Sequence, residues 1–163
     1  MLCKIDKYLK VLYRLSGYAA AIFLVLVAIF ILTGIASRMF GFYIRGLAEY
    51  SGYCMAASSF LALAYTFGEK GHIRITLFLE KSKKNIRRFL ELWCLSVATF
   101  FSGFLSFYFI KMLMISYKFQ ERSEGADEIL IWIPQVSVAL GSTVFFICIL
   151  HNFILLILKK NNN

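Results

Sequence analysis

The sequence predicts an all-α membrane protein with four transmembrane helices, amphipathic surface helices and both termini in the cytoplasm. Three observations lead there. The 163 residues are 60% hydrophobic and 17% aromatic with a single proline, far outside a soluble composition. The charged residues, 17% of the chain, gather in clusters that leave Leu15–Ser37, Tyr50–Gly68, Leu92–Ile110 and Ile129–Leu158 uncharged. At about 1.5 Å per residue, each stretch crosses a hydrocarbon layer of about 30 Å as a helix. Finally, lysine and arginine are distributed unevenly between the connections. A soluble enzyme, a disordered tail and a coiled coil are excluded.

The amino-terminal arm carries Lys4, Lys7, Lys10 and Arg14, as the start of a secretory signal would. The apolar run that follows exceeds the about 7–15 residues of a cleaved signal, and Arg38 stands where a small-residue cleavage site is needed. It therefore reads as a retained span, about 15–37. Within Met1–Ser16, Leu2, Ile5, Leu9 and Leu12 recur at helical spacing opposite the cations, predicting a surface helix on an anionic leaflet.

The second span, about 46–68, has Glu49 near its start and Glu69 just beyond it. Between Glu69 and Glu91, Ile75, Phe78, Leu79, Ile86, Phe89, Leu90 and Trp93 form an apolar stripe, with Lys83, Lys84, Arg87 and Arg88 turned to lipid phosphates. The plainer alternative is a solvated basic loop. The third span covers about 90–114 and the fourth about 132–158, with Ile129–Ile133 at the interface and Pro134 near the first turn, where its missing N–H costs nothing. All four belong to a single domain, 1–163.

Orientation follows the cations. Thirteen of the eighteen lie in the amino-terminal arm, the Glu69–Glu91 segment and the tail, placing these in the cytoplasm. Arg38, Arg45, Lys111, Lys118 and Arg122 face outward with Glu121, Glu124, Asp127 and Glu128. Tyr50, Tyr53, Tyr117 and Trp132 mark the outer head-group level, and Tyr18, Tyr65 and Trp93 the inner one. The net charge of +9 flanks apolar runs without a stripe of base-stacking aromatics, so phospholipids, and no nucleic acid, are the expected anionic partner.

Chemistry is sparse. Burying an ionisable group in lipid is costly and marks a proton or ion path, yet Glu49, Glu69, Glu91 and Lys111 all sit at span ends. A small proton-coupled exporter would need a carboxylate inside the bilayer. A membrane haem would need axial ligands, for which only His72 and His151 are present. A quinone-linked thiol oxidase would need an outward reactive cysteine pair, but Cys3 precedes the first span and Cys54, Cys94 and Cys148 lie in apolar runs. No phosphate-cradling loop, zinc spacing or nucleophile elbow appears. The expectation is a non-enzyme with no catalytic, cofactor or metal site. A self-assembling small transporter is the alternative, and a membrane redox protein a weaker one.

What remains are packing stripes. Gly52, Ala56, Ser59 and Ala62 share one face of the second span, and Ser96, Thr99, Gly103 and Ser106 one face of the third. Small residues let helices approach closely, within this chain or against a second protein equally well. Trp93 and Trp132, with Lys83, Lys84, Arg87 and Arg88, are the expected membrane anchors.

Ala64-Tyr65-Thr66-Phe67-Gly68-Glu69-Lys70-Gly71-His72-Ile73-Arg74-Ile75 resembles a stretch of the small membrane subunit of tripartite ATP-independent periplasmic (TRAP) transporters, the DctQ-like family. Arg38, Glu49, Trp132, Pro134 and Gly141 also fall where that family places such residues. The acidic turn Ser123–Glu128 stands apart from the pattern. The resemblance implies a small inner-membrane subunit that scaffolds a large multi-span permease carrying substrate and sodium sites. A periplasmic binding protein would deliver an organic acid, and the general look is closest to sialic-acid systems. In the family-like segment Gly71 would permit the turn out of the second span. Arg74 would meet a lipid phosphate or a partner's carboxylate, or serve topology alone.

Overall fold

The computed structural model describes residues 2–70, 84–125 and 128–158, with side chains over 8–68, 89–125 and 128–157. These residues form α1 (Leu2–Met39), α2 (Leu47–Lys70), α3 (Lys84–Phe119) and α4 (Trp132–Leu158). Three segments are long and apolar enough to cross a membrane: Tyr8–Met39, Phe89–Phe119 and Trp132–Ile157. The 24-residue α2, rich in alanine, serine and glycine, is not among them.

One expectation is corrected. The amino-terminal arm is not a separate surface helix, because Leu2–Met39 is continuous. Between the arm and the apolar run the sole weak helix former is Gly17, and the Tyr65 ring packs against it. Of the second expected surface helix, residues 71–83 lie outside the described residues, and from Lys84 onward the basic segment is the opening of α3. Pro134 sits in the first turn of α4, where no backbone donor is needed.

The helices pack in the spatial order α1, α2, α4, α3, with α1 touching α4 only slightly. The flanking α1 has 6% of its most apolar stretch buried, against 22% for the central α4. This row explains the composition of α2. A helix closed in on two sides needs small residues for close approach, whereas a flanking helix keeps its bulky apolar side chains for lipid.

Both helix ends on the side of the short connections are closed by the same device. Gly41 (φ 78°) ends α1 with Gly41 N–H bonded to Arg38 O at 3.2 Å and Phe42 N–H to Ser37 O at 3.1 Å, the paired bonds of a Schellman motif. Gln120 (φ 51°) takes the equivalent place after α3, where Glu121 N–H reaches Ser116 O at 3.2 Å. The chain then turns through a small hairpin whose backbone bonds are Ser123 N–H to Ile129 O at 2.7 Å and Ile131 N–H to Glu121 O at 3.0 Å.

Candidate functional site

The chemistry-bearing positions are helix contacts, and they begin with glycine. On α1, a Cβ at Gly17 would stand 2.8 Å from the Tyr65 ring of α2; on α2, a Cβ at Gly68 would stand 3.2 Å from the Tyr13 ring of α1. Each helix thus gives the other a tyrosine and receives it on a glycine, one turn apart. Along the same seam Ser16 donates to Leu61 O at 2.6 Å and, further along, Ser58 to Ala20 O at 2.9 Å, bonds that cross from helix to helix. The buried neighbours are small, Ala20, Ala57 and Ala64.

At the centre of the row, a Cβ on Gly141 of α4 would lie 2.8 Å from the Phe60 backbone carbon and 2.9 Å from Leu61 N, so backbone meets backbone. Further along α4, the buried Cys148 thiol donates to Ala64 O at 3.6 Å and meets the Tyr13 hydroxyl, tying α1, α2 and α4 together. Between α3 and α4, Gly103 receives the Phe146 ring and Ser106 shares a hydrogen bond with Thr143 at 3.1 Å.

The hairpin folds back over the start of α2. Tyr53 Oη and Ser123 Oγ are 2.9 Å apart, and a Cβ on Gly125 would fall onto the Glu49 carboxylate. Beside them Tyr117 and Trp132 meet edge to face, with centroids 5.5 Å apart. The indole N–H of Trp132 and Oε1 of Gln135 are buried here without a hydrogen-bond partner among the described residues. Arg122 and Glu128 pair at 3.3 Å in the open.

The stripes read from the sequence divide. On α2, Gly52 and Ser59 are exposed, Ala56 and Ala62 half-buried, and a Cβ on Gly52 would meet nothing within 4 Å. On α3, Gly103 and Ser106 meet α4, Thr99 is half-buried with its hydroxyl donating to Leu95 O of its own helix, and Ser96 is exposed. Of the expected anchors, Trp93 is exposed and Trp132 half-buried. Lys83, Gly71, His72 and Arg74 lie outside the described residues, as do the side chains of Lys84, Arg87 and Arg88. Spacing alone missed Gly17, Gly68 and Gly141, whose signal is a glycine inside an apolar run where helix propensity disfavours it.

The polar side chains inside the row bond mainly to backbone carbonyls, and among the described residues no three or more of His, Cys, Asp and Glu group as metal ligands. Residues 27–159 match the model of the tripartite ATP-independent periplasmic transporters, DctQ component. The chain belongs to the DctQ family. A DctQ component is the small membrane part of a TRAP transporter and works with a large permease and a periplasmic binding protein. No curated protein and no solved structure matches the chain. The matched stretch contains Tyr65, Gly68, Gly103 and Gly141 and begins midway along α1, after Tyr13 and Gly17.

Proposed function

We propose that this DctQ component is a non-catalytic scaffold that braces the large permease of a sodium-coupled TRAP transporter in the bacterial inner membrane. The solute is an organic acid delivered by a periplasmic binding protein, with sialic acid the narrower form of the reading. All four helices cross, leaving both termini in the cytoplasm. The observation that carries this is the placement of charge. Within the uncharged stretches of all four helices there is no Asp, Glu, Lys or Arg, so no ion path of its own is available. The polar side chains inside the row are mainly hydroxyls bonded to carbonyls.

The α2 helix supports four crossings despite its lower apolarity. It starts beside the hairpin at Glu49 and ends where Gly68 meets Tyr13, and this run alongside its neighbours supports the proposed fourth crossing. Co-expression with a large permease and a binding protein encoded beside it tests the role. Co-purification in mild detergent, and uptake by proteoliposomes only when both membrane subunits are present, is the expected result. Uptake by this chain alone would overturn the scaffold reading in favour of a self-assembling transporter.

A further inference from the structure

At the end of α1 and α2 remote from the hairpin there is a pocket of about 240 Å³ lined by Lys10, Tyr13, Arg14, Tyr65 and Gly68. We propose that it holds the phosphodiester headgroup of an anionic phospholipid. Lys10 and Arg14 stand one helical turn apart, an arrangement of like charges that is unfavourable unless an anion bridges them. Arginine grips phosphate oxygens in a fork and lysine adds a point charge. No carboxylate is among the described residues that line the pocket. Its floor is built: the Tyr13 ring is 7% exposed and covers Gly68, where a Cβ would stand 3.2 Å from it. Tyr65, held on Gly17, forms the wall.

Depth distinguishes a lipid from a free anion. The uncharged apolar run of α1 begins at Leu15, directly after Arg14, so both cations stand just before the stretch that hydrocarbon would cover. Beyond Arg14 the same ridge of α1 continues as Tyr18, Ile22, Val25 and Ile29, all exposed. Charge followed by a bare apolar ridge fits a headgroup followed by acyl chains, and a soluble phosphate has no use for the ridge. Lys10, Tyr13 and Arg14 precede the stretch matched to the family. The site therefore requires only that the chain resides in a membrane and stands apart from the scaffold role.

The test is native mass spectrometry of the delipidated full chain titrated with phosphatidylglycerol, phosphatidylcholine of the same acyl chains, or inorganic phosphate. Phosphatidylglycerol is expected to bind about tenfold or more tightly than phosphatidylcholine, with that preference lost in Lys10→Gln/Arg14→Gln. The preference is expected to persist in Lys10→Arg/Arg14→Lys, which keeps both charges, and in Lys111→Gln/Lys118→Gln, which removes two cations elsewhere. Each single glutamine substitution is expected to give an intermediate loss, an independent reading should the double variant fold poorly. Equal binding of the two lipids, or unchanged phosphatidylglycerol binding in the glutamine variants, would overturn the proposal. Displacement of the lipid by millimolar inorganic phosphate would also overturn it, assigning the pocket to a free anion.

Discussion

Glycines in this molecule are not equivalent, and the difference is set by what each faces. At Gly141 the obstacle is the Phe60–Leu61 backbone, 2.8–2.9 Å from a new Cβ, which cannot swing away as a side chain does. At Gly17 it is the Tyr65 ring at 2.8 Å, and at Gly103 the Phe146 ring edge at 3.0 Å. At Gly52 nothing stands within 4 Å. Overpacking a helix contact costs about 1–3 kcal/mol, while replacing an unopposed helical glycine by alanine stabilises by about 0.5–1 kcal/mol. Alanine substitutions should therefore order as Gly141 most damaging, Gly17 next, Gly103 milder and Gly52 neutral or stabilising. Unfolding midpoints in mixed detergent–denaturant titrations measure the series. A Gly141→Ala protein as stable as the parent would show that α2 and α4 are not in backbone contact.

The ends of the helices carry their own consequences. Gln120 occupies a left-handed position that costs a side-chain-bearing residue about 1–2 kcal/mol, offset in part by its Nε2 donating to Tyr117 O at 2.9 Å. Gln120→Gly should raise the unfolding midpoint modestly, because the Schellman bond from Glu121 N–H to Ser116 O remains. At the start of α2, Tyr53→Phe removes the hydrogen bond between Tyr53 Oη and the hairpin hydroxyl of Ser123, and should cost about 1 kcal/mol. Faster proteolytic cleavage within 121–131 would report the loosened hairpin. Helix positions were readable from charge clusters, since lipid tolerates only long uncharged runs. The ends were less readable: α3 runs to Phe119, beyond the expected 114, because Lys111 and Lys118 can extend along a helix that emerges from the hydrocarbon. On α3 the small-residue face read from periodicity includes Gly103 and Ser106, which meet α4; on α2 it holds the exposed Gly52 and Ser59, while Ala57, Ser58 and Ala64 are the buried positions. Both α2 stripes have helical spacing, and spacing alone does not say which faces this chain's own helices and which faces outward.

As a whole, the chain is a row with two exposed flanks, and its direction across the bilayer is the property most open to a decisive measurement. The contact of Glu49 with Gly125 places the α1–α2 connection and the hairpin at one end, and the Gly68–Tyr13 contact places the exit of α2 beside the start of α1's apolar stretch at the other. Thirteen of the eighteen cations belong to the arm, the Glu69–Glu91 segment and the tail. The orientation proposed from that charge bias has the hairpin outside. Alkaline phosphatase, active only outside the cytoplasm, should therefore report activity when fused after Arg45 or Gly125 and none after Lys83 or Lys159. The Arg45 and Gly125 pair is the critical comparison. If α2 failed to cross, only α3 would separate the two sites, and they would report opposite sides. With four crossings they must agree with activity high, and silence after Lys83 and Lys159 then completes the count of four spans and their direction.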